Sequence, residues 1–129
     1  MEGSGKASSG KAKVLVSLTA GLEDPERVTL AFLVATAGLA QGKQVVLWAT
    51  KEAVRLGLPG HAVGVACKGC PPLERLFEQF AEWGGELWLC PICVGARDLD
   101  DAETVPNVKI VGATPMWEWA GDDTTVFSY

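Results

Sequence analysis

Two largely apolar runs, KVLVSL at Lys13–Leu18 and QVVLWAT at 44–50, flank a long helix-patterned stretch, and this arrangement constrains the fold more than any other feature. A strand with apolar residues at successive positions, rather than alternate ones, is buried on both faces, as the inner strands of parallel sheets are. Parallel neighbours need a crossover, and the intervening residues supply one. Asp24-Pro25-Glu26 opens a helix with a capping carboxylate, a proline at the first helical position and an acid in the first turn. Its pattern runs to about Gln41, where Gly42 stops it. The run from Leu30 to Ala35 is apolar enough to predict cover on more than one side.

The same alternation continues along the chain. A helical turn is expected over 52–56, a Gly/Pro loop around Leu58-Pro59-Gly60, and a weak strand pattern at 62–66. Pro71-Pro72 starts a second helix over 73–83, with Leu73, Leu76, Phe77 and Phe80 on one face, and Gly84-Gly85 ends it. Strands follow at 86–89, 108–111 and 124–127, with a short helix at 115–119. The fold class this predicts is α/β: a mainly parallel five-stranded sheet with helices on both faces. Residues 13–129 form one domain in this reading, and residues 1–12 a small, polar tail. The pattern Gly5-x4-Gly10-Lys11 within that tail resembles a phosphate-binding loop, but Ala12 stands where a magnesium-holding hydroxyl is needed and no strand precedes it.

With 129 residues, 48% apolar and 21% charged, the chain can build a core without disulfide staples. The net charge of −5 argues against a general nucleic-acid binder. No run approaches the ~20 apolar residues of a membrane span. No secretory signal is visible, so the expected compartment is the cytoplasm, and its four cysteines are expected as thiols, persulfides or metal ligands.

Those cysteines carry the chemistry, as two C-x2-C pairs. Cys90-Pro-Ile-Cys93 leaves a strand and enters a helical turn, where unpaired amide N–H groups favour a thiolate, the form that attacks sulfur. The bland alternative is that both are small buried hydrophobes. A thioredoxin site is excluded, because residues 94–129 are too few for the sheet that must follow it. Taken together, Cys67-x2-Cys70 and Cys90-x2-Cys93 have the spacing of a four-cysteine zinc site, although a whole helix and strand fill the interval.

Other sites are closed off by counting. His61 is the sole histidine, in a loop, and is expected as a solvated surface residue. A hydrolytic triad would need Ser17 or Ser128, which lie at opposite ends of the sheet region, outside any nucleophile elbow. Asp98, Asp100, Asp101 and Glu103 read as a solvated loop rather than a cation site. Arg97 either lies near the thiols or serves as a charge at a helix C-terminus. Trp117 and Trp119 flank Glu118 and cannot both point inward from a helix, so an aromatic left outside predicts a subunit contact.

The stretches KVLVSLTAGLEDPERVTLAFLVATAGLAQGKQVVLW, AVRL, PPLERLFEQFAEWGGELWLCPICVGARDL and VKIVGA resemble the DsrE/DsrF-like (YchN-like) family of small sulfur-relay proteins, over about residues 13–129. The third stretch is similar to the branch often labelled predicted peroxiredoxins. The resemblance implies a three-layer α/β/α sandwich, assembly as a homo-oligomer (a trimer or hexamer), and a sulfur-accepting cysteine at a strand end. That position maps onto Cys90, with Cys93 as its companion. It leaves Cys67 and Cys70 without a counterpart.

The leading expectation is therefore a carrier that takes sulfane sulfur on Cys90 and relays it between a donor and an acceptor protein, with Cys93 assisting or resolving. It needs no cofactor. The alternatives are a zinc-binding module on Cys67, Cys70, Cys90 and Cys93, a thiol–disulfide redox protein, and an oligomeric ligand-binding protein with no reactive cysteine.

Overall fold

The computed structural model describes residues 11–129; the phosphate-loop-like pattern and most of the expected tail lie outside the described residues. Five strands, β1 (Lys13–Leu18), β2 (Gln44–Ala49), β3 (Glu86–Leu89), β4 (Val108–Ile110) and β5 (Thr124–Ser128), form a single sheet in the order β4-β3-β2-β1-β5. Every pairing is parallel. The two runs that bury both faces, β1 and β2, occupy the interior of the sheet. The weaker β4 and β5 take the edges, where Val126 and Phe127 stay exposed.

Strand pleating divides the core in two. Val14, Val16, Leu18, Val45, Leu47, Leu87 and Leu89 point to one face, under α1 (Pro25–Ala40), α2 (Leu73–Glu82) and a 3-10 helix (Lys51–Gly57). Leu15, Val46 and Trp88 point to the other face, which α4 (Ala113–Ala120) covers with Met116 and Trp119. The sheet is thus sandwiched, but unequally. On the thicker side Phe32 stacks on Phe77 with ring centroids 4.3 Å apart and meets the edge of Phe80 at 5.3 Å, locking α1 to α2.

Local signals act as the sequence implies. The Asp24 carboxylate accepts the Arg27 N–H at 3.1 Å and caps α1. The buried Thr29 and Thr36 hydroxyls donate back to the Pro25 and Phe32 carbonyls, which leaves neither unsatisfied. Past α2, Gly84 turns the chain at φ 94°, and at Gly85 a β-carbon would sit 2.4 Å from the Phe80 ring.

Some expectations are corrected and others met. Residues 62–66 form a turn and irregular backbone rather than a strand, because Gly60 just before the segment and Gly64 in its middle take positive φ. The cover expected on more than one side of α1 is found, from the sheet and from α2, while Leu30 and Leu33 on its remaining face are exposed. Ser17 and Ser128 are register partners on adjacent strands, since β5 returns beside β1. The tryptophans behave as expected, with one of the two left outside: Trp117 is 69% exposed, whereas Trp119 packs edge-on against Trp88 at 5.4 Å.

Candidate functional site

In an all-parallel sheet the carboxyl ends of the strands share one rim, and reactive groups collect there. Cys90 continues β3 onto that rim. Its N–H donates to the Ala49 carbonyl of β2 at 3.0 Å, and its own carbonyl accepts the Val94 N–H at 3.0 Å, which starts α3 (Pro91–Ala96). Pro91 stands at the first helical position, where it has no N–H to lose. Cys90 is therefore the joint between strand and helical turn, as its position after ELWL implies, with its backbone held on both sides.

Both Cys90 and Cys93 are free thiols, each half-buried. Cys93 packs against the thicker core beside the buried Val94, which anchors α3. Pro91 and Ile92 face solvent, and Ile92 is 80% exposed. The start of α4 closes the rim on the other side: Val111 donates to the Leu89 carbonyl at 3.0 Å, and a β-carbon on Gly112 would meet Pro91 at 3.6 Å. The cleft beside α3, lined by Val54, Leu89, Val94 and Leu99, holds about 160 Å³. Pockets that enclose small-molecule substrates run to roughly 300 Å³ and more.

Arg97 resolves the choice left open by the sequence, and in both directions at once. It ends α3, and its guanidinium donates to the Cys93 carbonyl at 3.2 Å and to Glu52 at 2.6 Å. Glu52 also accepts from Arg55 at 2.8 Å, so one carboxylate ties the 3-10 helix after β2 to the helical turn after β3. Sequence reasoning missed Glu52. Its short-range pairing with Arg55 was visible, but the reach to Arg97 spans 45 positions.

Hydrogen bonds from Arg97, then Arg55, hold the Glu52 carboxyl below its ordinary value of 4.5. A depressed folded value means that this group stabilises the folded chain above about pH 4.5, an effect lost as pH falls through the folded value. Wild type is therefore expected to exceed Glu52→Gln in urea midpoint near neutrality, with the gap closing under acid. Glu52 is 41% exposed, so the gap is small. A gap independent of pH would refute the clamp.

The other sequence candidates do not converge on this site. Cys67 and Cys70 are joined as a disulfide, which corrects their reading as thiols or metal ligands. The cause is local: Gly69 at φ 79° and a Cys70 N–H to Cys67 carbonyl bond of 3.0 Å fold the four residues into one tight turn. Among the described residues no group of three or more His, Cys, Asp or Glu side chains is placed to hold a metal ion, so the zinc reading on Cys67, Cys70, Cys90 and Cys93 does not fit. The same holds for the acidic cluster at Asp98, Asp100, Asp101 and Glu103. His61 is half-buried rather than solvated, and burial lowers its pKa.

The model of the DsrE/DsrF-like family matches residues 12–129, nearly the whole chain. This chain is a DsrE/DsrF-like protein. Among solved structures, the YchN protein of E. coli is similar to this DsrE/DsrF-like chain at a TM-score of 0.77 and 18% identity, covering 92% of this chain and 99% of that one. At that identity the likeness shows a shared fold. No curated protein matches the chain. The fold and family expected from the sequence are both found, with a five-stranded parallel sheet between helices. No helix among the described residues is long and apolar enough to cross a membrane.

Proposed function

We propose that this DsrE/DsrF-like chain relays sulfane sulfur between a donor and an acceptor protein, with Cys90 as the carrier. One observation carries the reading: a free, partly exposed cysteine is held by its backbone on the strand rim, beside solvent-facing Pro91 and Ile92, with a second free thiol one helical turn on. A carrier needs a presented sulfur and a surface to dock on, more than a chamber for substrate, and the small cleft beside α3 agrees with that.

The chemistry balances simply. The Cys90 thiolate attacks the outer sulfur of a donor persulfide and expels the donor thiolate, leaving Cys90–S–SH. An acceptor thiolate then takes that outer sulfur and restores Cys90. Alternatively, the Cys93 thiolate attacks the inner sulfur, releasing hydrosulfide and forming a Cys90–Cys93 disulfide. Arg97, bonded to the Cys93 carbonyl, and Glu52 behind it fix the turn that carries both thiols. In this reading the chain works in the cytoplasm as a homo-oligomer, a trimer or hexamer, and exposed Trp117, Leu30 and Leu33 supply apolar contact surface.

Incubation with a cysteine desulfurase and cysteine tests the proposal. The intact mass should rise by about 32 Da, one sulfur atom, and return on adding a dithiol. A mass unchanged by protein and low-molecular-weight sulfane donors alike would end the carrier reading.

A further inference from the structure

The two cysteine pairs of this chain differ in redox state: Cys67 and Cys70 are joined, while Cys90 and Cys93 are free. We propose that Cys67–Cys70 is a second reactive site, a reversible disulfide that exchanges electrons with dithiol proteins. This site is separate from the sulfur chemistry assigned to Cys90.

The first argument is what the bond fails to do for stability. A disulfide stabilises mainly by shortening the loops open to the unfolded chain, and the effect grows with ring size. A bridge between residues three apart in sequence closes nearly the smallest ring possible. The fold around it is also secured independently. Ala62 and Leu73 are buried on either side, and the Leu73 N–H donates to the Val65 carbonyl at 2.9 Å across the loop. Opening the bond therefore leaves the flanks where they are.

The second argument is accessibility and return. Lys68 and Gly69, inside the ring, and Ala66, before it, are exposed. Lys68, exposed and between the two cysteines in sequence, gives this turn a positive charge that favours the approach of a thiolate. The turn that brings the two cysteines to a Cα separation of 5.2 Å is made by the backbone, through Gly69 and the Cys70 N–H bond, so it stays in place with the sulfurs apart. Two thiols kept adjacent re-form their bond readily.

Exchange proceeds in two displacements. A thiolate of the dithiol partner attacks one sulfur of the pair and expels the other as a thiolate. The partner's second thiolate then displaces the first Cys sulfur from the mixed disulfide. Cys67 and Cys70 end as thiols, the partner as a disulfide, and two electrons and two protons have moved to this chain. Reaction with an oxidised partner runs the same steps backwards.

The test counts alkylations by intact mass on the folded full-length chain, with circular dichroism confirming that it stays folded. Oxidised protein should take two iodoacetamide groups, at Cys90 and Cys93; after reduced thioredoxin it should take four, and oxidised thioredoxin should restore two. In a Cys90→Ser/Cys93→Ser variant the count should go from none to two, placing the change on Cys67 and Cys70. As a separate measurement, the thiolate of a thioredoxin lacking its resolving cysteine should attack the intact bond of the oxidised Cys90→Ser/Cys93→Ser chain and remain linked as a mixed disulfide, while a Cys67→Ser/Cys70→Ser chain captures none. A count that rises only in denaturant, or a rise that vanishes without Cys90 and Cys93, overturns the proposal.

Discussion

Cys90→Ser is expected to reduce persulfide loading to background, while Cys93→Ser leaves loading intact and lengthens the life of the loaded form. The difference follows from position. Cys90 is the rim residue, beside the exposed Pro91-Ile92 surface a donor would meet, whereas Cys93 sits one turn inward against the core. A serine hydroxyl keeps the size of the thiol but forms no persulfide, so Cys90→Ser removes the chemistry and spares the packing. Without Cys93 no thiol remains one turn away to displace hydrosulfide, and the persulfide waits for an acceptor. Mass spectra taken through a desulfurase time course separate the two effects. Loading that survives in Cys90→Ser and vanishes in Cys93→Ser would exchange the roles and refute the assignment.

The largest effect on stability is expected at Phe32. Its ring is 1% exposed and touches both Phe77 and Phe80, so one side chain joins α1, α2 and the sheet. Truncating a buried phenylalanine to alanine costs roughly 3–5 kcal/mol, from lost transfer energy and the cavity left behind. For a domain of ordinary total stability, about 5–15 kcal/mol, this lowers the folding equilibrium by two to four orders of magnitude. Urea unfolding should show it directly, with Phe32→Leu falling between the two. An unchanged midpoint for Phe32→Ala would mean that the α1–α2 contact carries little of the fold.

The parts of the fold visible in the sequence were those written in local chemistry. KVLVSL and QVVLWA show burial on both faces through their successive apolar residues, and Asp24-Pro25 marks a helix start that the structure places at Pro25. Residues 62–66 misled because alternation alone does not reveal where glycines take positive φ. The placement of Cys90 at a strand end was legible because ELWL runs directly into it, and Pro91 can only begin a helix there. The relation between the two cysteine pairs was not. A tight C-x2-C turn suits a metal and a disulfide equally, and the choice rests on where the rest of the chain carries the other pair. Glu52 was out of reach for the same reason: its partnership with Arg97 exists only after two strands have paired side by side.

Because all five strands run the same way, the entry to β1 at Lys13 and the sulfur of Cys90 belong to opposite ends of the sheet, whereas Tyr129, bonded to Ser17 and Thr19, emerges at the cysteine end. A tether fixed ahead of Lys13 would leave the reactive end turned toward the bulk liquid. One fixed after Tyr129 would crowd the surface where a visiting protein has to land.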